Sequence, residues 1–212
     1  MRQRHIRNRD QIIAECGGCL IEDPAGFKGR WDQAFGRQAP IMLEIGSGKG
    51  RFITDMAEKH PEWNFIACEG QFNVYPRILQ KVTELGLPNI RVIGGYINDP
   101  QEYFESGEIS GIYLNFSDPW KKRTMHRRLT SRQKLEGYKK ICAPGSSLQF
   151  KTDNDELFEY SLEELTAAGL AASVVEYDLH HSALAEQNVM TEYEEKFTIE
   201  GLKIKYFCTY FT

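Results

Sequence analysis

Three short stretches carry residues whose types and spacing suit chemistry. Glu44-Ile-Gly-Ser-Gly-Lys-Gly50 sets three glycines at alternate positions behind an acid. Such glycines allow a tight turn and let the backbone approach a ligand closely. Glu69 ends a later apolar run, where a carboxylate can accept both hydroxyls of a ribose. Asn115-Phe-Ser-Asp-Pro-Trp120 couples a carboxylate, Asp118, to a flat aromatic face, Trp120. A base stacked on such a face gains about 1–3 kcal/mol. Lys121-Lys-Arg-Thr-Met-His-Arg-Arg128 follows at once with five permanent cations, the residues that contact phosphates. Platform, carboxylate and phosphate anchors thus fall within residues 118–128.

Two nucleotide loops fail at the glycines. A dinucleotide fingerprint needs a third Gly or Ala where this chain has Arg51, and a phosphate loop needs Ser or Thr where it has Gly50. What remains, Glu-x-Gly-x-Gly-x-Gly, looks like the first motif of S-adenosylmethionine-dependent methyltransferases. That cofactor has no phosphates and carries a sulfonium and an ammonium, so an acid such as Glu44 suits it better than an anion cradle.

These residues need a frame that brings them together, and the apolar pattern supplies one. Strands are expected at Ile41–Ile45, Asn64–Glu69, Ile90–Ile93, Ile112–Phe116 and Leu148–Thr152. Helices alternate with them, marked by Phe52, Ile53, Met56 and Ala57, then by Val74, Ile78, Leu79, Val82 and Leu85, and later by Leu157, Phe158, Leu162 and Leu165. Two late strands, Ala172–Tyr177 and Lys203–Phe211, suggest an antiparallel pair at one edge. Alternation of this kind predicts an α/β fold, with a parallel sheet whose carboxyl edge holds the ligand. Residues 1–38 read as a basic N-terminal arm, 39–212 as a single domain, and 179–202 as a long loop.

The 212 residues carry a net charge of −4, which argues against a polyanionic partner only if charge is evenly spread. It is not. Residues 151–200 hold 13 acids and two bases, leaving the rest of the chain at +7. Arg2, Arg4, Arg7 and Arg9 form one positive focus and residues 121–128 the other, as an RNA backbone needs. Five cysteines are odd in number and mostly far apart, and Cys16-Gly-Gly-Cys19 lacks a second pair at zinc-site distance. The reading is free thiols, no metal, no membrane span and a cytoplasmic protein.

Taken together, the chain resembles bacterial tRNA (guanine-N7)-methyltransferases over nearly its whole length. The resembling pieces are the Arg-rich start, Gly29-Arg-Trp-Asp-Gln-Ala-Phe-Gly36, the glycine loop, Tyr113–Trp120, Arg127-Arg-Leu129, Phe150-Lys-Thr-Asp-Asn154 and Asn188–Phe197. The resemblance implies a Rossmann-like class I methyltransferase fold, a mostly parallel seven-stranded sheet with helices on both faces and an antiparallel edge strand. It implies methylation of a variable-loop guanine, normally position 46, by a monomer or homodimer. Glu44, Gly46, Ser47, Gly48, Glu69 and Asp118 would bind S-adenosylmethionine. Lys121 or Lys122, Asp153, Thr191, Glu192, Tyr193 and Glu194 would bind the target nucleoside. Arg2, Arg4, Arg7, Arg9, Arg123, Arg127 and Arg128 would hold the RNA backbone, and Asp118 and Asp153 would carry catalysis. Two departures stand out. The family reads Trp-Pro-Lys-Lys where Trp120 meets Lys121 directly, so both lysines are candidates. The end of the third strand has Tyr96 where the family has an acid or amide, with Asn98 or Asp99 as substitutes. A methyltransferase with another target, a non-catalytic RNA-binding protein and an NAD-linked dehydrogenase are the alternatives.

Overall fold

The computed structural model describes residues 8–212, so Arg2, Arg4 and Arg7 lie outside the described residues. Seven strands form one sheet: β1 (Ile41–Ile45), β2 (Asn64–Cys68), β3 (Ile90–Ile93), β4 (Ile109–Asn115), β5 (Cys142–Thr152), β6 (Ala172–Glu176) and β7 (Lys205–Tyr210). Their order is β3-β2-β1-β4-β5-β7-β6. The first five pair in parallel, while β7 runs antiparallel to both β5 and β6. The antiparallel pair lies at one edge, as expected. The order reverses at β1, and such a switch point is where open α/β sheets bind ligands.

Parallel strands covered on both faces read as continuous apolar runs. All five residues of β1 and of β2 are buried. Alternation then sorts the side chains. Met42, Phe65, Ala67 and Tyr113 pack under α3 (Arg51–Lys59) and α4 (Pro76–Leu85). Leu43, Ile45, Ile66, Ile112 and Leu114 pack on the opposite face with α5 (Arg132–Ile141) and α6 (Asp155–Ala167). The stripe Phe52, Ile53, Met56 and Ala57 is buried as its spacing requires, and so is Ile78, Leu79 and Val82.

Three elements differ from the sequence reading. The expected arm is built into the fold from Arg9 onward. Helix α1 (Arg9–Cys16) packs along α4, Leu20 bridges to Val92, and α2 (Trp31–Phe35) sits in the core. Trp31 is fully buried, its Nε1 donates to the Tyr103 carbonyl at 3.0 Å, and its ring stacks on Phe104. The reason is coverage, because the sheet face carrying Ile66 and Ile93 needs an apolar partner there. Residues 179–202 hold a helix, α7 (Glu192–Ile199), closed at its start by a capping box between Thr191 and Glu194. The alternation of Ile204, Tyr206, Cys208 and Tyr210 suggests one buried face in the last strand, but in β7 Phe207 is as buried as Cys208, because the strand lies one in from the edge.

If the segment before β1 is core rather than arm, Trp31→Ala should lower stability by about 3–5 kcal/mol. Urea unfolding checks this, and an unchanged midpoint would return residues 17–38 to the status of an appendage.

Candidate active site

The glycine loop is fixed from the neighbouring strand. Gly46, Gly48 and Gly50 all have positive φ, a conformation that L side chains rarely adopt. The amides of Gly46 and Ser47 donate to the Cys68 carbonyl at 2.8 and 3.0 Å. The Glu69 carboxylate accepts from Gly48 N at 2.9 Å and from Gln71 N at 2.7 Å. Glu69 therefore holds the loop that it borders. Burial raises its pKa, opposed by those two backbone donors and aided by the charge of Asp118. At the end of β3, the Tyr96 ring lies against Gly70. A Cβ on Gly70 would come within 2.2 Å of that ring, so any larger residue after Glu69 would have to displace the exposed Tyr96 side chain. Asn98 and Asp99 are exposed, and Asp99 caps the short 3-10 turn at Pro100–Glu102.

A polar row crosses the carboxyl ends of the central strands on the α3 side. The register sets Glu44 beside Tyr113 and Asn115 beside Lys151. Glu44 is 1% exposed, and its Oε1 accepts from Asn115 Nδ2 at 2.8 Å. Its Oε2 is buried without a hydrogen-bond partner among the described residues. Burial pushes the Glu44 pKa up to about 7, with the Asn115 and Ser47 hydrogen bonds and the Lys151 charge pulling the other way. Next in the row, Lys151 donates to Glu194 Oε2 at 2.6 Å, Val189 O at 2.7 Å and Asn188 Oδ1 at 3.0 Å. Sequence reasoning counted Lys151 only as a charge and part of a resembling motif. Its being the one charged residue of β5 was the available signal.

The Asn115–Trp120 box is a strained turn with an internal anchor. Phe116 (φ 51) and Trp120 (φ 25) are the described non-glycine residues with positive φ. Asp118 and Trp120 are exposed, as are Lys121, Lys122 and Arg123. Arg127 places its guanidinium over the Trp120 ring at 5.1 Å. Arg128 departs from expectation. Its side chain is 2% exposed, donates to the Pro119 and Trp120 carbonyls at 2.7–3.1 Å, and pairs with Glu156 at 3.0 Å. It pins the box from within and cannot reach an RNA phosphate. Arg9 also departs from expectation, because its guanidinium lies on the Phe72 ring and donates to Tyr75 Oη at 3.4 Å.

The 191–194 segment divides. Thr191 and Glu194 are buried and satisfy each other through the capping box, and Glu194 also accepts from Asn188 at 2.5 Å and meets His180 at 3.0 Å. Neither side chain is free for a nucleoside, which corrects that expectation. Glu192 pairs with Lys81 at 2.7 Å and Glu195 with Arg51 at 2.5 Å, tying α7 to α4 and to the helix behind the glycine loop. Tyr193 is exposed beside Phe197. Asp153 is half-buried, and its carbonyl accepts from Lys205. A cavity of about 260 Å³ lies between α3 and residues 179–189, floored by Tyr113, Gln149 and Lys151. It sits behind the polar row, not over the glycine loop.

The donor set suits a cationic, phosphate-free cofactor. An unpartnered carboxylate oxygen at the switch point calls for a positive group, and open backbone glycines leave room for an adenosine. Among the described residues no group of three or more His, Cys, Asp or Glu could hold a metal ion, and no helix is long and apolar enough to cross a membrane.

Known proteins place this geometry. Residues 38–207 match the family model described as Putative methyltransferase. Three relatives bear the name tRNA (guanine-N(7)-)-methyltransferase. The one from Limosilactobacillus reuteri is 46% identical, covering 96% of each chain. That from Lactococcus lactis subsp. cremoris is 47% identical, covering 95% of this chain and 94% of the other. That from Bacillus subtilis is 43% identical, covering 96% of each. Among solved structures, an antibiotic-related methyltransferase shares the fold at TM-score 0.63 and 17% identity, over 85% of this chain and 92% of that one. A 16S rRNA (adenine(1408)-N(1))-methyltransferase from Catenulisporales acidiphilia does so at 0.61 and 16%, over 91% and 94%. With near-half identity over almost the whole length added to a glycine loop at the α/β switch point, the chain belongs to the tRNA (guanine-N(7)-)-methyltransferase family.

Proposed function

We propose that this chain transfers a methyl group from S-adenosylmethionine to N7 of a tRNA guanine, at position 46 of the variable loop. The observation that carries the reading is the Glu69-held glycine loop beside the unpartnered carboxylate oxygen of Glu44, with Asn115 bonding Glu44 and opening the box that leads to Asp118, Trp120 and exposed cations. Glu44, Gly46, Ser47, Gly48, Glu69 and Asp118 hold the cofactor, with Tyr96 and Asn98 at its adenine end. Asp153, Tyr193, Glu192 and Lys121 or Lys122 hold the guanine. The chain acts as a monomer or a homodimer. The free cysteines fit a cytoplasmic site of action.

When bound, S-adenosylmethionine supplies a methyl carbon that the N7 lone pair attacks, the N7–carbon bond forming as the sulfonium carbon–sulfur bond breaks. Guanine N7 carries no proton, so no side chain has to act as a general base. The work of the protein is positioning and stabilisation of the cationic product base by a carboxylate. Asp118, in the box, and Asp153, just after β5, are the carboxylates assigned to that role. The exposed Arg123 and Arg127 reach outward to the RNA backbone, while Arg128 keeps Trp120 in place from below.

Incubation of unmodified tRNA with labelled S-adenosylmethionine, followed by borohydride and aniline cleavage, tests the reaction, since the strand is cut at N7-methylguanine. Asp118→Asn and Asp153→Asn should each slow transfer about tenfold or more, a lost contact of roughly 1.4 kcal/mol. Wild-type turnover in both would remove the assignment. Glu44 gives a pH signature. Its raised pKa means that the free protein holds it neutral below about pH 7, whereas a cationic ligand favours the charged form. Cofactor affinity measured by calorimetry should therefore fall as pH drops from 8 to 6, up to about tenfold per unit, and Glu44→Gln should flatten the curve. In the free protein the sign is opposite, because charging Glu44 as pH rises through 7 lowers stability. Arg123→Ala should reduce the salt slope of tRNA binding by about one. Arg128→Ala should leave that slope unchanged and lower the melting temperature instead.

A further inference from the structure

We infer that Lys151 is a positioning residue for methyl transfer, seating α7 so that Phe197 braces the Asn115–Trp120 box at Phe116. The inference rests on the methyl-transfer reading above. No part of Lys151 needs to touch substrate. Its side chain is 5% exposed, and its ammonium donates to Glu194, Val189 and Asn188. The fully buried Glu194 closes the capping box that begins α7, so the pair fixes both where that helix starts and how it is rotated. Phe197 lies three residues on, one turn along the same helix face. Its ring packs against Phe116 at 5.9 Å between centroids.

Phe116 is the residue that needs bracing. Its φ of 51° is left-handed and unfavourable for an aromatic residue, so its surroundings must hold it there. Two holds come from the same residue of β5. The Phe116 amide donates to the Lys151 carbonyl at 2.9 Å, and the Lys151 side chain carries α7 and hence Phe197. Asp118 and Trp120 follow within four residues on a turn that ends at another positive φ. A shift of Phe116 therefore moves the carboxylate and the base platform together. The exposed pairs Lys81–Glu192 and Arg51–Glu195 add little by themselves and cannot fix the helix rotation as a buried, fully bonded pair does.

The test uses the full chain, with Lys151→Met, Phe197→Ala and the double variant. Phe197 is only half-buried, so its truncation cuts the contact to the box while leaving the buried pair intact. Each single variant should lower kcat about tenfold or more, with KM for tRNA and Kd for S-adenosylmethionine within about threefold of wild type. The double variant should be no worse than the poorer single, because both cut one link. Hydrogen exchange in the free protein should quicken at residues 115–120 in both singles while residues 51–68 stay protected. Wild-type kcat in folded Lys151→Met, a loss wholly in the KM for tRNA, or losses that multiply in the double variant would each overturn the inference. Should Lys151→Met fail to fold, Phe197→Ala decides alone, and wild-type kcat with unchanged exchange at 115–120 rejects the brace. If the wild-type protein methylates no tRNA, the functional reading fails, while the exchange measurement still judges the brace.

Discussion

The pair of Lys151 and Glu194 is the constraint on which the substrate side of this molecule turns. Two charges withdrawn from water cost several kcal/mol each before their attraction is counted. The cost is tolerable only when every proton and lone pair finds a partner, and here almost every one does. Asn188 both accepts from Lys151 and donates to Glu194, Val189 contributes a carbonyl, and His180 meets the remaining carboxylate oxygen. Burial lowers the Lys151 pKa and Glu194 raises it. A well-packed apolar pair could give equal stability, but it would not specify one rotation of α7. Direction is what the ionic pair adds, since a single donor geometry satisfies the whole set.

A second buried acid in the same row is treated in the opposite way. Glu44 has one oxygen bonded to Asn115 and the other unpartnered among the described residues. Glu44 of β1 and Lys151 of β5 flank Asn115 of β4 on one sheet face, and Glu194 of α7 comes down onto Lys151. Glu194 is saturated by the protein and Glu44 is not, and the difference separates framework from ligand site. An incompletely satisfied buried carboxylate is costly, which is tolerable where a cationic ligand completes it. Asn115 joins the two halves, since it bonds Glu44 and opens the box that Phe197 braces.

The fold was legible because parallel strands buried on both faces announce themselves as apolar runs, and the glycine loop announces its own turn. The elements that were missed share a different cause. Trp31 sits in a segment with ordinary polarity, and only tertiary contact with Phe104 and Tyr103 shows that it is core. Helix α7 lacks a clear apolar stripe, so periodicity passed over it. Its Thr191-x-x-Glu194 spacing was a start signal in plain view, but those two residues were read as ligand contacts. Arg128 was indistinguishable from Arg127 as a cation. Sequence cannot say which of two adjacent arginines turns inward, because that is decided by the Pro119 and Trp120 carbonyls left unpaired by the strained turn.

Resolved along the chain, the charge of −4 also acquires a structural meaning. Much of the acidic 151–200 block does not face solvent alone. Glu192, Glu194 and Glu195 pair with Lys81, Lys151 and Arg51, Glu156 pairs with Arg128, and Asp155 with Lys205. These partners come from β5, β7, α3, α4 and the end of the box, so the acids pull the late part of the chain onto the early part. By contrast, none of Lys121, Lys122, Arg123 and Arg127 forms an ion pair among the described residues, and all four are exposed. Opposite charges consumed internally leave the unpaired cations beside Trp120 as the field that an incoming polyanion meets. A long-range potential depends on unneutralised charge near the cleft and falls off within a Debye length. An acidic protein can therefore present a local cationic approach to RNA, and in this chain those cations directly follow the box that carries Asp118 and Trp120.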